Sequence, residues 1–162
     1  VSRFTIDNDD ESPFVFEQPL AKVISINKAG VPGPLEIARA LSRLDILPNP
    51  TPNEDLGKDV EKHVESPWKV AEPITVDPNI WDKAEIALVH FEDLTATDEF
   101  MNRKKIKEHI IAMGQAVTPN RSYALVLETA DATLIIDGHH RLFAMWLLGY
   151  DSAPVWYVKQ GE

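Results

Sequence analysis

The pattern of apolar and polar positions changes character near the middle of this 162-residue chain. From about Lys83 onward the apolar residues recur with clear periods. Ala84 to Phe91 alternates as a strand does, with Ile86, Leu88 and His90 on one face and Ala87, Val89 and Phe91 on the other. Glu92-Asp93-Leu94 makes a turn. Thr97-Asp98-Glu99 then opens a helix that Phe100, Ile106, Ile110, Ile111 and Met113 carry to Gly114, a natural C-cap. Tyr123 to Glu128 and Ala132 to Ile136 read as strands separated by the turn Thr129-Ala130-Asp131, close enough to pair as a hairpin. A helix follows Asp137 and stops at Gly149, and Ala153 to Lys159, introduced by Pro154, forms a last strand. The predicted order is strand, helix, strand, strand, helix, strand, a compact α+β unit over residues 84–162.

Residues 1–83 read as an N-terminal extension packed on that unit. Phe14-Val15-Phe16 and Lys22-Val23-Ile24-Ser25-Ile26 suit short strands. Pro32-Gly33-Pro34 introduces a helix from Leu35 to Leu44 with a helical apolar stripe. Pro48, Pro50 and Pro52 prohibit its continuation and make a rigid connector. Asp55 to His63 suits a short exposed helix. An extended segment punctuated by Pro67, Pro73 and Pro78 carries Trp68 and Trp81, whose rings tie it to the main body.

Composition narrows the class. A hydrophobic share of 44% is that of a globular core and excludes global disorder. No apolar run approaches the roughly 18–20 residues needed to cross a bilayer, and no signal-peptide pattern is visible, so no membrane partner is expected. Zero cysteines exclude disulfides, thiolate zinc sites and a cysteine nucleophile, which fits a cytoplasmic location. The net charge of −10 opposes nonspecific nucleic-acid binding over the whole surface. Residues 1–82 hold 15 acids against 8 bases, an acidic half suited to docking a protein partner. The one basic cluster, Arg103-Lys104-Lys105 with Lys107, is where DNA or nucleotide would be met; the alternative is a solvated helix face.

The densest chemistry lies at Ile135-Ile136-Asp137-Gly138-His139-His140-Arg141. An apolar strand stops, and an acid, a glycine, two imidazoles and a guanidinium arrive just as a helix begins. Helix N-termini favour anions through their outward-pointing amides and dipole. Gly138 allows close backbone approach, and Arg141 supplies a permanently charged fork suited to phosphate oxygens. His139 and His140 could donate to a bridging oxygen or carry a proton. Asp137 has two candidate roles, helix N-cap and Mg²⁺ ligand. A zinc reading of the histidine pair is weaker, because adjacent residues on a helix point about 100° apart. Glu92 and Asp93 are the candidates for orienting an attacking oxygen, ahead of Asp98 and Glu99, and ordinary turn chemistry is the alternative. Lys104 and Lys105 could cover the phosphates.

The element order and these residues resemble the ParB/sulfiredoxin superfamily. The matching features are Ile86-Ala87-Leu88 with Phe91-Glu92-Asp93-Leu94, the helix through Lys104-Lys105-Ile106-Lys107-Glu108-His109-Ile110, and Leu134-Ile135-Ile136-Asp137-Gly138-His139-His140-Arg141. Ala144, Leu147-Leu148-Gly149 and Ala153-Pro154-Val155 continue it, so the resemblance covers residues 84–159. Sulfiredoxins carry a Gly-Gly-Cys-His-Arg run; His139 stands at the cysteine here, which excludes sulfinic-acid repair. ParB-type partition proteins carry Gly-Glu-Arg-Arg, and ADP-dependent kinases of free serine carry Asp-Gly-His-X-Arg. A further branch comprises nuclease or ATPase proteins of plasmids and phages, some of which interfere with conjugation. The resemblance to these last two branches implies a nucleotide-binding enzyme that uses ATP and Mg²⁺, hydrolysing ATP and cleaving DNA. A kinase of a small hydroxyl substrate is the rival activity, and a non-catalytic nucleotide switch the rival class.

Overall fold

A computed structural model describes residues 2–3, 32–52, 56–72, 74–113 and 123–160. The strands expected at Phe14–Phe16 and Lys22–Ile26 lie outside the described residues, as does Gly114. The described chain is a mixed α+β structure. Its nine strands are β1 (Ser2–Arg3), β2 (His63–Glu65), β3 (Thr75–Val76), β4 (Glu85–His90), β5 (Leu94–Thr95), β6 (Phe100–Asn102), β7 (Leu125–Glu128), β8 (Thr133–Asp137) and β9 (Ser152–Lys159). Its α-helices are α1 (Pro34–Asp45), α2 (Arg103–Met113) and α3 (His139–Leu147).

Five strands form the central sheet in the order β4-β9-β7-β8-β5. The pairs β4/β9 and β7/β8 are antiparallel, while β7/β9 and β5/β8 are parallel. His90 pairs with Ser152 at one end of one edge, and Leu94 pairs with Thr133 at the other end of the opposite edge. Only the 3₁₀ turn Phe91–Asp93 joins them. Four interstrand steps in a flat sheet span about 19 Å, whereas the link from His90 to Leu94 reaches at most about 14 Å. The sheet is therefore strongly twisted and coiled, bringing the end of β4 to the start of β5.

Both faces of this sheet are covered, which is why its strands read as continuous apolar runs rather than clean alternations. On one face Val126, Ile135, Ala153 and Val155 pack with Ala40 and Leu44 of α1, Ile106 and Ile110 of α2, and Leu142 and Phe143 of α3. On the other, Leu125, Leu127, Leu134, Ile136, Trp156 and Val158 pack with Val76 and Trp81. The segment before residue 84 thus contributes to both cores. Trp68 docks on the helical side and donates Nε1 to Phe91 O at 2.9 Å; Trp81 is 1% exposed on the far side.

Pro154 sits inside β9, a central strand, where β9 runs past the start of β7. Trp156 N, turned toward β7, bonds Ala124 O at 2.9 Å, and β7 begins at Leu125. Two residues earlier the same side of β9 faces no strand among the described residues, so the missing proline N–H leaves no gap in the described ladder. The helix expected from Thr97 begins instead at Arg103. The intervening Phe100–Asn102 is β6, paired with β2 of the extension, a partner that local propensity does not reveal. The 3₁₀ helix Gly57–Lys62 replaces the short helix expected near Asp55–His63.

All three tyrosines of the chain have pKa values above the ordinary phenol range. Burial is the main cause for each; at Tyr157, held up at about 12, the bond to the Glu128 carboxylate adds to it. A raised phenol pKa means the native state keeps its proton after the unfolded chain has lost it. Stability from these groups is therefore complete below pH 10 and is lost as pH climbs through the folded values. Titration of tyrosinate absorbance should show no ionisation below about pH 10, with the last phenol ionising together with alkaline unfolding.

Candidate functional site

The site is built where β8 turns into α3. Gly138 occupies the N-cap position at φ 96°, a left-handed conformation that an L-residue adopts only under strain. A Cβ at Gly138 would lie 2.7 Å from Ala124 Cβ and 2.8 Å from Ala124 Cα. Glycine is therefore required here both for the turn and for the close approach of β8 to the chain entering β7. Asp137 is the last residue of β8, 4% exposed and paired in register with Leu125. It is not the N-cap residue; that position belongs to Gly138. The first intrahelical bond runs from Leu142 N to Gly138 O at 3.0 Å, and amides before it point out of the helix along its axis. At the other end Gly149 N bonds Trp146 O and Tyr150 N bonds Met145 O, a Schellman closure at a glycine of φ 101°.

The two histidines do something the sequence does not suggest. Thr97 N donates to His139 Nε2 at 3.0 Å, and Asn102 N donates to His140 Nε2 at 2.8 Å. Each ring thus serves as a neutral acceptor for a main-chain amide. His139 is 0% and His140 3% exposed. One of them is expected from the sequence to donate to a bridging oxygen or carry a proton; through Nε2, both clamp the 97–102 segment onto the first turn of α3. Thr97 Oγ1 adds a 2.6 Å bond to Ile135 O, and Asn102 Oδ1 accepts from Lys105 N at 3.2 Å, capping α2.

Arg141 completes the turn. It is half-buried, and it makes no hydrogen bond or ion pair with a described residue. Burial lowers its pKa below the ordinary guanidinium value, while the neighbouring Tyr123 works in the opposite direction. Tyr123 is 2% exposed, and its buried Oη has no hydrogen-bond partner among the described residues. Burial raises its pKa and the Arg141 charge partly offsets this. A phenol donor and a cation that influence each other electrostatically therefore lie near the start of α3, and an anion or a strong acceptor would suit both.

The remaining expected residues are dispersed. Glu92 and Asp93 are exposed in the turn before β5, whose first residue pairs with Thr133 at the start of β8. Gly138 lies beyond the far end of that strand, about 16 Å along it at strand rise. The turn sits instead near the C-terminal end of α3, where Phe91 and Trp146 rings lie 6.1 Å apart. The acid brought close to the motif is Asp98, next to the Thr97–His139 bond. Arg103 is engaged within the fold: it bonds Leu44 O at 2.8 Å, Leu47 O at 2.5 Å and Asn49 Oδ1 at 2.8 Å, closing the C-terminal end of α1. Lys104 is exposed and Lys105 half-buried, in the first turn of α2 just past the Asn102–His140 bond. Lys107 is exposed further along that helix. Among the described residues no three His, Cys, Asp or Glu side chains gather as a metal site. An Mg²⁺ ion there would be held by Asp137 together with ligand phosphates, the usual division for that ion.

Sequence reasoning missed Tyr123, Thr97 and Asn102. They meet the motif only through strand pairing, and no spacing announces them.

No protein-family model, curated protein or solved structure matches the chain. No helix among the described residues is long and apolar enough to cross a membrane.

Gly138→Ala should combine left-handed strain of about 1–2 kcal/mol with a backbone clash at Ala124, a severe loss visible as a lower melting temperature. His140→Phe should leave the Asn102 amide without its acceptor, costing about 1–3 kcal/mol in denaturant unfolding.

Proposed function

We propose that this chain is a ParB/sulfiredoxin-like nucleotide-binding domain that holds the phosphates of ATP at the N-terminus of α3. Outward-pointing amides after the Gly138 turn would meet the phosphate, Arg141 and Tyr123 bind its oxygens, and Lys104 supplies further positive charge from α2. The observation that carries this reading is the Arg141–Tyr123 pair, half-buried and buried respectively, with neither side chain hydrogen-bonded within the described structure. Asp137 would be the residue to hold Mg²⁺, which when bound would neutralise part of the phosphate charge.

The same geometry favours a nucleotide switch over the ATPase/DNase reading. Hydrolysis needs a group that orients the attacking water. His139 and His140 are occupied by main-chain amides, and Glu92 with Asp93 lies at the opposite end of α3. Asp98 is the acid left to test for hydrolysis, DNA cleavage or transfer to a small hydroxyl compound such as serine.

Calorimetric titration with ATP and Mg²⁺ tests the proposal. Arg141→Ala should weaken binding by about 1.5–3 kcal/mol, roughly ten- to 150-fold, and Tyr123→Phe by a smaller factor. Glu92→Gln and Asp93→Asn should leave binding unchanged, and phosphate release by the parent should be very slow. ATP affinity indifferent to Arg141 would remove the site; rapid turnover abolished by Asp98→Asn would restore the enzyme reading.

A further inference from the structure

We propose that the outer edge of β4 is a self-association edge, at which two copies of this chain pair antiparallel about Leu88 to join their central sheets. β4 ends the sheet order, and among the described residues it pairs with β9 alone. Its free side can be identified. Trp156 N turns to Ala124 O, away from β4, so the opposite residue Ile86 turns its own amide and carbonyl outward. Leu88 and His90 share that phase. Phe91 N, in the other phase, bonds inward to Asp151 O at 3.0 Å.

Among the described residues this edge carries few of the usual protections against pairing. Glu85–His90 contains no proline or lysine and a single formal charge, Glu85, its register with β9 runs without a shift, and Leu88 is 53% exposed.

Charge selects a second copy as the occupant. At the start of β4 lie the exposed Lys83 and Lys159, lining a groove of about 370 Å³ with Glu85 and Tyr157. Lys159 is shared with Glu128 at 3.8 Å. At the end of β4 lie the exposed acids Glu92, Asp93 and Asp151. Lys83 and Asp93 are equally spaced on either side of Leu88. An antiparallel pair centred on Leu88 therefore sets Leu88 against Leu88 and Ile86 against His90. It also brings the acidic end of each copy to the lysine groove of the other. A parallel arrangement would set like charges together.

Sedimentation of the full chain across micromolar to millimolar concentration tests this, with circular dichroism as the folding control. The parent should dimerise, more weakly in high salt. Leu88→Lys, a change at an exposed position, should raise the dimer dissociation constant by roughly tenfold or more. Lys83→Glu should weaken the dimer, and combining it with Glu92→Lys and Asp93→Lys should restore it. A parent that stays monomeric overturns the proposal, as does a dimer that Leu88→Lys leaves intact or a charge swap that fails to rescue.

Discussion

The reversal at Gly138 is the constraint on which the rest of this structure depends. β8 must run against Ala124 and turn at once into α3, with 2.7 Å between the place where a Cβ would stand and the Ala124 side chain. Because the approach is so close, the first turn of α3 is set against the end of the sheet with little freedom. The side chains of that turn then reach two separate parts of the chain. His139 takes the Thr97 amide and His140 the Asn102 amide, five residues apart in sequence and on either side of the start of β6. β6 in turn pairs with β2. The extension before residue 84 is thus fastened to the motif by a short chain of hydrogen bonds, as well as by Trp68 and Trp81.

The imidazoles show how residue type can mislead when chemistry is read from composition alone. A histidine offers one donor and one acceptor when neutral, and a dense polar run at a helix start suggests donors aimed at an anion. Here the main chain claims the acceptor nitrogens first. A buried backbone amide without a partner costs about as much as a lost hydrogen bond, so the 97–102 segment can lie on α3 only if something accepts from it. Two adjacent imidazoles, diverging by about 100° on the helix, supply acceptors in the two directions needed. The divergence that argues against a shared metal is what lets one pair of neighbours serve two amides.

Most of the secondary structure from residue 84 onward was legible because long apolar runs bounded by glycine, proline and charged turns have few other solutions. β4, β7, β8, β9, α1 and α3 fall within a few residues of their expected places. The false helix start at Thr97 came from a favourable capping sequence that lost to pairing with β2, a strand nearly forty positions earlier. The position of Glu92 and Asp93 was hidden for a related reason. Sequence proximity to β4 says nothing about where the coiled sheet carries that turn, and the coil brings it near the C-terminal end of α3. Tyr123 was invisible because its relation to Arg141 exists only once β7 and β8 pair.

The arginines discriminate anchor from site more sharply than the histidines do. Arg43 donates to Leu147 O at 2.6 Å, and Arg103 to two carbonyls and an amide oxygen, so both guanidinium groups close helix ends. Each replaces lost hydration with fixed acceptors. Arg141 is also drawn partly out of water, yet no described acceptor compensates it, and its nearest charged influence is a phenol that is itself buried without a partner. Burying such groups is favourable only where acceptors replace the lost hydration. On the proposed reading, an entering anion would give the guanidinium and phenol hydrogen bonds in a place where water competes poorly. That difference in compensation, rather than the presence of positive charge, is what distinguishes Arg141 from the structural cations Arg43 and Arg103 and supports the proposed phosphate site.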